Sequence, residues 1–154
     1  MSETVLIVDD DVDVGLALAA GLEREGRDIV LCRDAESAEL VISARDIAFI
    51  VADVRLSGPF RYDGLELLEY ARRHVPGARV IAISGSGAAG LDRAVQERGA
   101  TFLEKPFEIE TLELLVTPRN GSRSEPSLTI VPTLDEILSG SAIVPAFQPI
   151  VSLG

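Results

Sequence analysis

The sequence predicts an α/β fold, a doubly wound domain built on a five-stranded parallel sheet, and three observations carry that expectation. Short apolar runs of strand type alternate five times with stretches of helical periodicity. The runs lack polar alternation, the pattern of strands covered by helices on both faces. Runs one, three, four and five lead into Asp9 and Asp10, Asp53, Ser84 and Lys105, and such folds bind ligands beyond the carboxyl ends of their strands.

The first strand is Thr4–Val8 (TVLIV), followed by three consecutive aspartates. A helix over Val12–Glu25 places Val14, Ala17, Leu18 and Leu22 on one face, with Asp11 as N-cap and Gly26 as the stop. Asp28–Cys32 is the second strand, and Ala35–Ala44, capped by Asp34, the second helix, with Ala38, Val41 and Ile42 inward. Ala48–Ala52 is the third strand and runs into Asp53; the third helix is Gly64–His74, with Leu65, Leu68 and Ala71 at core spacing. Arg79–Ile83 and Thr101–Glu104 are strands four and five. Weaker helices cover about Leu91–Arg98 and Glu108–Val116, the last ended by Pro118. Arg119–Ser127 is polar and rich in turn formers, so residues 118–133 read as a linker. Beyond it, Leu134–Leu138 reads as a short helix and Val144–Leu153 as a strand, too little to build a core alone.

Composition narrows the function. The chain has 154 residues and is 47% hydrophobic, enough for a packed domain. A net charge of −11 argues against a nucleic-acid partner. No apolar run approaches the length that spans a bilayer, and Met-Ser-Glu-Thr lacks the basic start of a signal peptide. A single cysteine forms no internal disulfide, so the expected setting is reducing and cytoplasmic. The 14 basic residues are 13 Arg and one Lys, Lys105. A lone compact cation among forked guanidiniums draws attention to its own position.

At one sheet rim, then, stand three carboxylates, Asp9, Asp10 and Asp53, with a hydroxyl, Ser84, and an ammonium, Lys105. Carboxylates this close repel one another unless a cation sits among them. An all-oxygen set suits a hard divalent ion that also binds phosphate oxygens, so Mg2+ is the expected cofactor. Hydroxyl and ammonium complete a site for a phosphoryl group.

Residues 1–117 resemble the receiver domain of bacterial two-component response regulators, in VLIVDDD, IVADVRL, VIAIS and FLEKPF, four motifs in order. The resemblance implies the flavodoxin-like (βα)5 receiver fold and names Asp53 as the phosphoacceptor, served by a sensor histidine kinase. It implies that Asp10 binds Mg2+ directly, that Asp9 acts mainly through water, and that Asp53 and the backbone carbonyl of Arg55 are further ligands. Ser84 would hydrogen-bond the phosphoryl group and Lys105 pair with one of its oxygens. Phe102 matches the aromatic switch position, and Pro106 the cis proline. Phosphorylation would repack the face of helix four, strand five and helix five. Receivers often dimerise through that face, so a homodimer is one expectation; the residues leave the oligomeric state open. The sequence departs from the pattern where the family has proline four residues after the phosphoacceptor. Here that residue is Ser57, and the run SGPFRYDG is about three residues longer than usual.

Residues 134–154 (LDEILSGSAIVPAFQPIVSLG) resemble the opening helix and strand of an EAL-type cyclic-di-GMP phosphodiesterase domain. That implies an output domain following the receiver, with its catalytic residues beyond Gly154; this chain itself is no enzyme. Two rival readings stand beside this one. A degenerate receiver would act as an interaction module without taking phosphate. A haloacid-dehalogenase-type phosphatase would attack from strand one. Its first motif, however, needs Thr or Val where this chain has Asp13.

Overall fold

The structure, a computed structural model, describes residues 3–55, 64–85, 90–116 and 127–138. Strands β1 (Glu3–Val8), β2 (Arg27–Cys32), β3 (Phe49–Asp53), β4 (Arg79–Gly85) and β5 (Thr101–Lys105) alternate with helices α1 (Val12–Leu22), α2 (Ala35–Ala44), α3 (Gly64–His74), α4 (Leu91–Glu97) and α5 (Ile109–Leu115). A sixth strand, β6 (Ser127–Ile130), and a short helix, α6 (Leu134–Leu138), follow. The sheet order is β5-β4-β3-β1-β2-β6, and every pair is parallel.

Successive strand residues point to opposite faces, which explains the unbroken apolar runs. Leu6, Val8, Val30, Ile50, Ala52, Val80 and Ala82 pack with α2, α3 and α4 on one side. Val5, Ile7, Ile29, Leu31, Val51, Ile81 and Ile83 pack with α1 and α5 on the other. Both N-caps expected from sequence are present: Asp11 accepts from the N–H groups of Asp13 and Val14, and Asp34 from that of Ser37. The limits of α2 and α3 coincide with the expected ones.

Four expectations need correction. Helix α1 stops at Leu22, three residues short of Glu25, because the Leu22 carbonyl is taken from outside the helix. The guanidinium of Arg27, 1% exposed, donates to it at 2.6 Å and also reaches the Val116 carbonyl and Glu113. Gly26 (φ 85°) turns the chain just beyond. The buried stripe of α1 is Gly15, Leu18, Ala19 and Leu22, and Ala17 lies outside it. A Cβ on Gly15 would stand 2.7 Å from Leu31 Cδ1, so the helix seats on β2 through its glycine. In α3, Leu67 is fully buried where Leu65 is only half-buried.

The fourth correction changes the sheet. It has six strands rather than five, because part of the expected linker 118–133 pairs with β2 in the register Asp28↔Ser127 to Leu31↔Ile130. Ser127 Oγ donates to Asp28 Oδ1 at 2.6 Å, and the Val131 N–H donates to the Leu31 carbonyl. Helix α6 follows on a capping box: the Thr133 N–H donates to Glu136 Oε2 at 3.0 Å and the Glu136 N–H to Thr133 Oγ1 at 3.2 Å. Glu136 also pairs with Arg33 at the end of β2. The strand expected over Val144–Leu153 and the long run after Ser57 lie outside the described residues. Among the described residues, no helix is long and apolar enough to cross a membrane.

Candidate functional site

A parallel sheet points all its strand ends the same way, so residues far apart in sequence meet at one rim. Asp9 follows β1, Asp53 ends β3, Ser84 lies near the end of β4 and Lys105 ends β5. Asp9, Asp10 and Asp53 each place a carboxylate oxygen within 4.8 Å of the others. Lys105 Nζ donates to Asp53 Oδ2 at 3.0 Å and stands 3.9 Å from Asp9 Oδ2. These four residues form one charged cluster.

Two of the carboxylates, Asp9 and Asp53, are held by the backbone N–H two residues on. The Asp11 N–H donates to Asp9 Oδ1 at 2.9 Å, and the Arg55 N–H donates to Asp53 Oδ1 at 2.8 Å. Asp9 is tied further by its own N–H, which donates to the Cys32 carbonyl of β2 at 3.0 Å. Asp10 is exposed, whereas Asp9 and Asp53 are 2% and 9% exposed. Burial pushes the Asp9 carboxyl up to about 6, opposed by the Asp11 N–H, reinforced by the charges of Asp53 and Asp10, and relieved in part by Lys105. A buried carboxylate under that load, with two more oxygen donors beside it, fits a hard divalent cation. The donor set therefore fits Mg2+.

The other expected residues divide. Ser84 is fully buried at the same rim, and its hydroxyl donates to the Gly85 carbonyl at 3.2 Å. Phe102, in β5, is half-buried against the core face formed with α2, α3 and α4. The Lys105–Pro106 peptide bond is cis. Arg55 follows β3, and its backbone is fixed to the Asp53 carboxylate as above. Sequence reasoning passed over the role of Asp11 beyond capping α1. Aspartate oxygens often accept from the N–H two residues on, so the spacing of Asp9 and Asp11 was a readable signal.

Comparison with known proteins agrees with this arrangement. Residues 5–117 match the model of the response regulator receiver domain. Over 120 residues the chain is 41% identical to the nitrogen assimilation regulatory protein NtrX of Azorhizobium caulinodans, covering 77% of this chain and 26% of that protein. A crystal structure of NtrX from Brucella abortus in complex with ATP superposes with a TM-score of 0.68 at 36% identity, over 75% of this chain and 26% of that one. A CheY-like receiver domain protein from Methanospirillum hungatei superposes with a TM-score of 0.69 at 25% identity, over 75% of this chain and 91% of that one. The chain spans about a quarter of the length of the first curated relatives it matches. By its matched length, its fold and the residues at its sheet rim, the chain belongs to the response regulator receiver domain family.

Proposed function

We propose that this chain is the phosphoacceptor module of a two-component signalling protein and takes a phosphoryl group on Asp53 from the phosphohistidine of a sensor histidine kinase. The observation that carries the reading is the contact of Lys105 Nζ with Asp53 Oδ2 beside the oxygens of Asp9 and Asp10. In the transfer an Asp53 oxygen forms the new P–O bond, the P–N bond to the histidine breaks, and the released imidazole takes up a proton. The Asp53 oxygen held by the Arg55 N–H stays in place while Oδ2, on the Lys105 side, faces the incoming group. Lys105 then has a phosphoryl oxygen to pair with, and Ser84 can exchange the Gly85 carbonyl for another. Asp10 and Asp9, with the Arg55 carbonyl, would hold Mg2+, which supplies neutralisation of the phosphoryl oxygens.

The switch in this reading is a local change of charge read by packing. When Ser84 moves toward the phosphoryl group, the half-buried ring of Phe102 can fill the space behind it, repacking α4, β5 and α5. Residues 1–117 form the receiver, and a downstream output domain reads that face. The likeness of residues 134–154 to an EAL-type opening supports a cyclic-di-GMP phosphodiesterase as that output in the full-length protein. The reading is tested by exposing the chain to acetyl phosphate with Mg2+ or with a chelator and following intact mass. One phosphoryl group is expected with Mg2+ and none with the chelator. Equal uptake in Asp53→Ala and the unaltered chain would overturn it, and no uptake by either would favour the degenerate receiver.

A further inference from the structure

Gly64 opens α3, and its N–H donates to the Val54 carbonyl at 3.1 Å. A Cβ at this position would stand 2.3 Å from Val54 O, 2.6 Å from its Cα and 2.7 Å from its carbonyl carbon. The other close glycines face side chains. At Gly15 the neighbour is Leu31 Cδ1, and at Gly21 it is Ile109 Cγ1 at 2.4 Å; both can turn away. A backbone cannot do so cheaply, and this backbone is pinned. The Val54 N–H donates to the Ile83 carbonyl at 2.9 Å, so the residue whose carbonyl Gly64 clamps is also fastened to β4. Val54 lies between Asp53 and Arg55, and the Arg55 N–H is already bound to Asp53 Oδ1.

We propose that Gly64 is a positioning residue for the phosphoacceptor loop: its bare Cα lets α3 seat on the Val54 peptide, fixing the backbone that carries Asp53 and the Arg55 carbonyl. The inference rests on the metal-binding reading of that carbonyl given above. It goes further in saying what makes the site tolerant of the run between Arg55 and Gly64. With Val54 fastened to Ile83 on one side and to Gly64 on the other, the length of that run does not set the geometry of the metal-facing backbone. The unusually long SGPFRYDG is then compatible with an unaltered site.

The probe is Mg2+ alone, titrated by calorimetry without any phosphoryl donor. Gly64→Ala is expected to weaken Mg2+ binding by about tenfold or more, as loss of a group that orients a metal ligand does. Gly21→Ala, which also crowds a helix but lies at the α1–α5 seam, is expected to lose urea stability and keep Mg2+ affinity within about twofold, as a distant site should. Insertion of two glycines after Pro59 is expected to leave affinity within about twofold as well, since closure entropy grows only slowly with loop length. Trimethylamine N-oxide, which favours the folded state, is included for every variant so that Gly64→Ala is measured folded. Unchanged affinity in Gly64→Ala, or a tenfold loss on insertion, would overturn the proposal. Failure of the unaltered chain to bind Mg2+ would instead remove the metal-binding reading beneath it.

Discussion

Lys105→Met is expected to take up a phosphoryl group from acetyl phosphate about a hundredfold more slowly than the unaltered chain, the usual cost of removing one donor aimed at developing charge. Methionine keeps the length and apolar stem of the side chain, so the change isolates the ammonium. That ammonium stands 3.0 Å from Asp53 Oδ2 and 3.9 Å from Asp9 Oδ2. In the proposed reading it is both the partner of the attacking carboxylate and a cation that competes with a metal for the cluster. The two roles predict opposite effects in one variant. Phosphoryl uptake falls, while Mg2+ affinity holds or rises, because the site has lost a positive charge. Rates followed by intact mass, with calorimetric Mg2+ titration on the same samples, check both. A rate within threefold of the unaltered chain would reduce Lys105 to a structural ion-pair partner.

Asp9→Asn is expected to stabilise the metal-free chain. The Asp9 carboxyl is pushed up from 3.8 to about 6, first by burial and then by the neighbouring carboxylates. Well below pH 3.8 the group is protonated whether the chain is folded or not and adds no penalty. As pH rises toward 6 the unfolded chain loses its proton first, so folding stability falls through that window and levels off above it. A rise from 3.8 to about 6 corresponds to at most about 3 kcal/mol. Asparagine escapes this penalty and can still accept the Asp11 N–H. Urea unfolding in chelator at neutral pH should therefore favour Asp9→Asn by up to about 3 kcal/mol, with the gap closing toward pH 4. Mg2+ should narrow the gap from the other side, because a ligand that binds only the folded state stabilises it and the unaltered chain binds it better. A variant no more stable than the parent in chelator would mean that the Asp9 carboxylate is not strained in the metal-free fold.

The site could be read from sequence more fully than its surroundings, and the reason is geometric. In a parallel sheet the residue after each strand is delivered to the same rim, so Asp9, Asp53 and Lys105 could be placed on one edge, and the order β5-β4-β3-β1 then brings them close. Helices α2 and α3 could be bounded because their apolar spacing is clean and, in α2, Asp34 caps the start. Helix α1 could not, since its end depends on Arg27 reaching back to Leu22 O, a contact written in no local pattern. Strand β6 escaped notice because it is short, carries Ser127 and Thr129, and follows a polar stretch; only pairing with β2 reveals it. Gly64 could be placed at the head of a helix, but its closeness to Val54 is a tertiary fact. The pull of the Asp11 N–H on Asp9 was local and could have been read.

The attachment point of the phosphoryl group tests the central claim most directly. The chain is labelled with acetyl phosphate and Mg2+, reduced with borohydride to convert the aspartyl phosphate into homoserine, digested and sequenced by mass spectrometry. The account predicts homoserine at position 53 alone, and none when a chelator replaces Mg2+. Homoserine at position 9, where a phosphatase of the rival type would be attacked, or at no position in a chain that binds Mg2+, would contradict it.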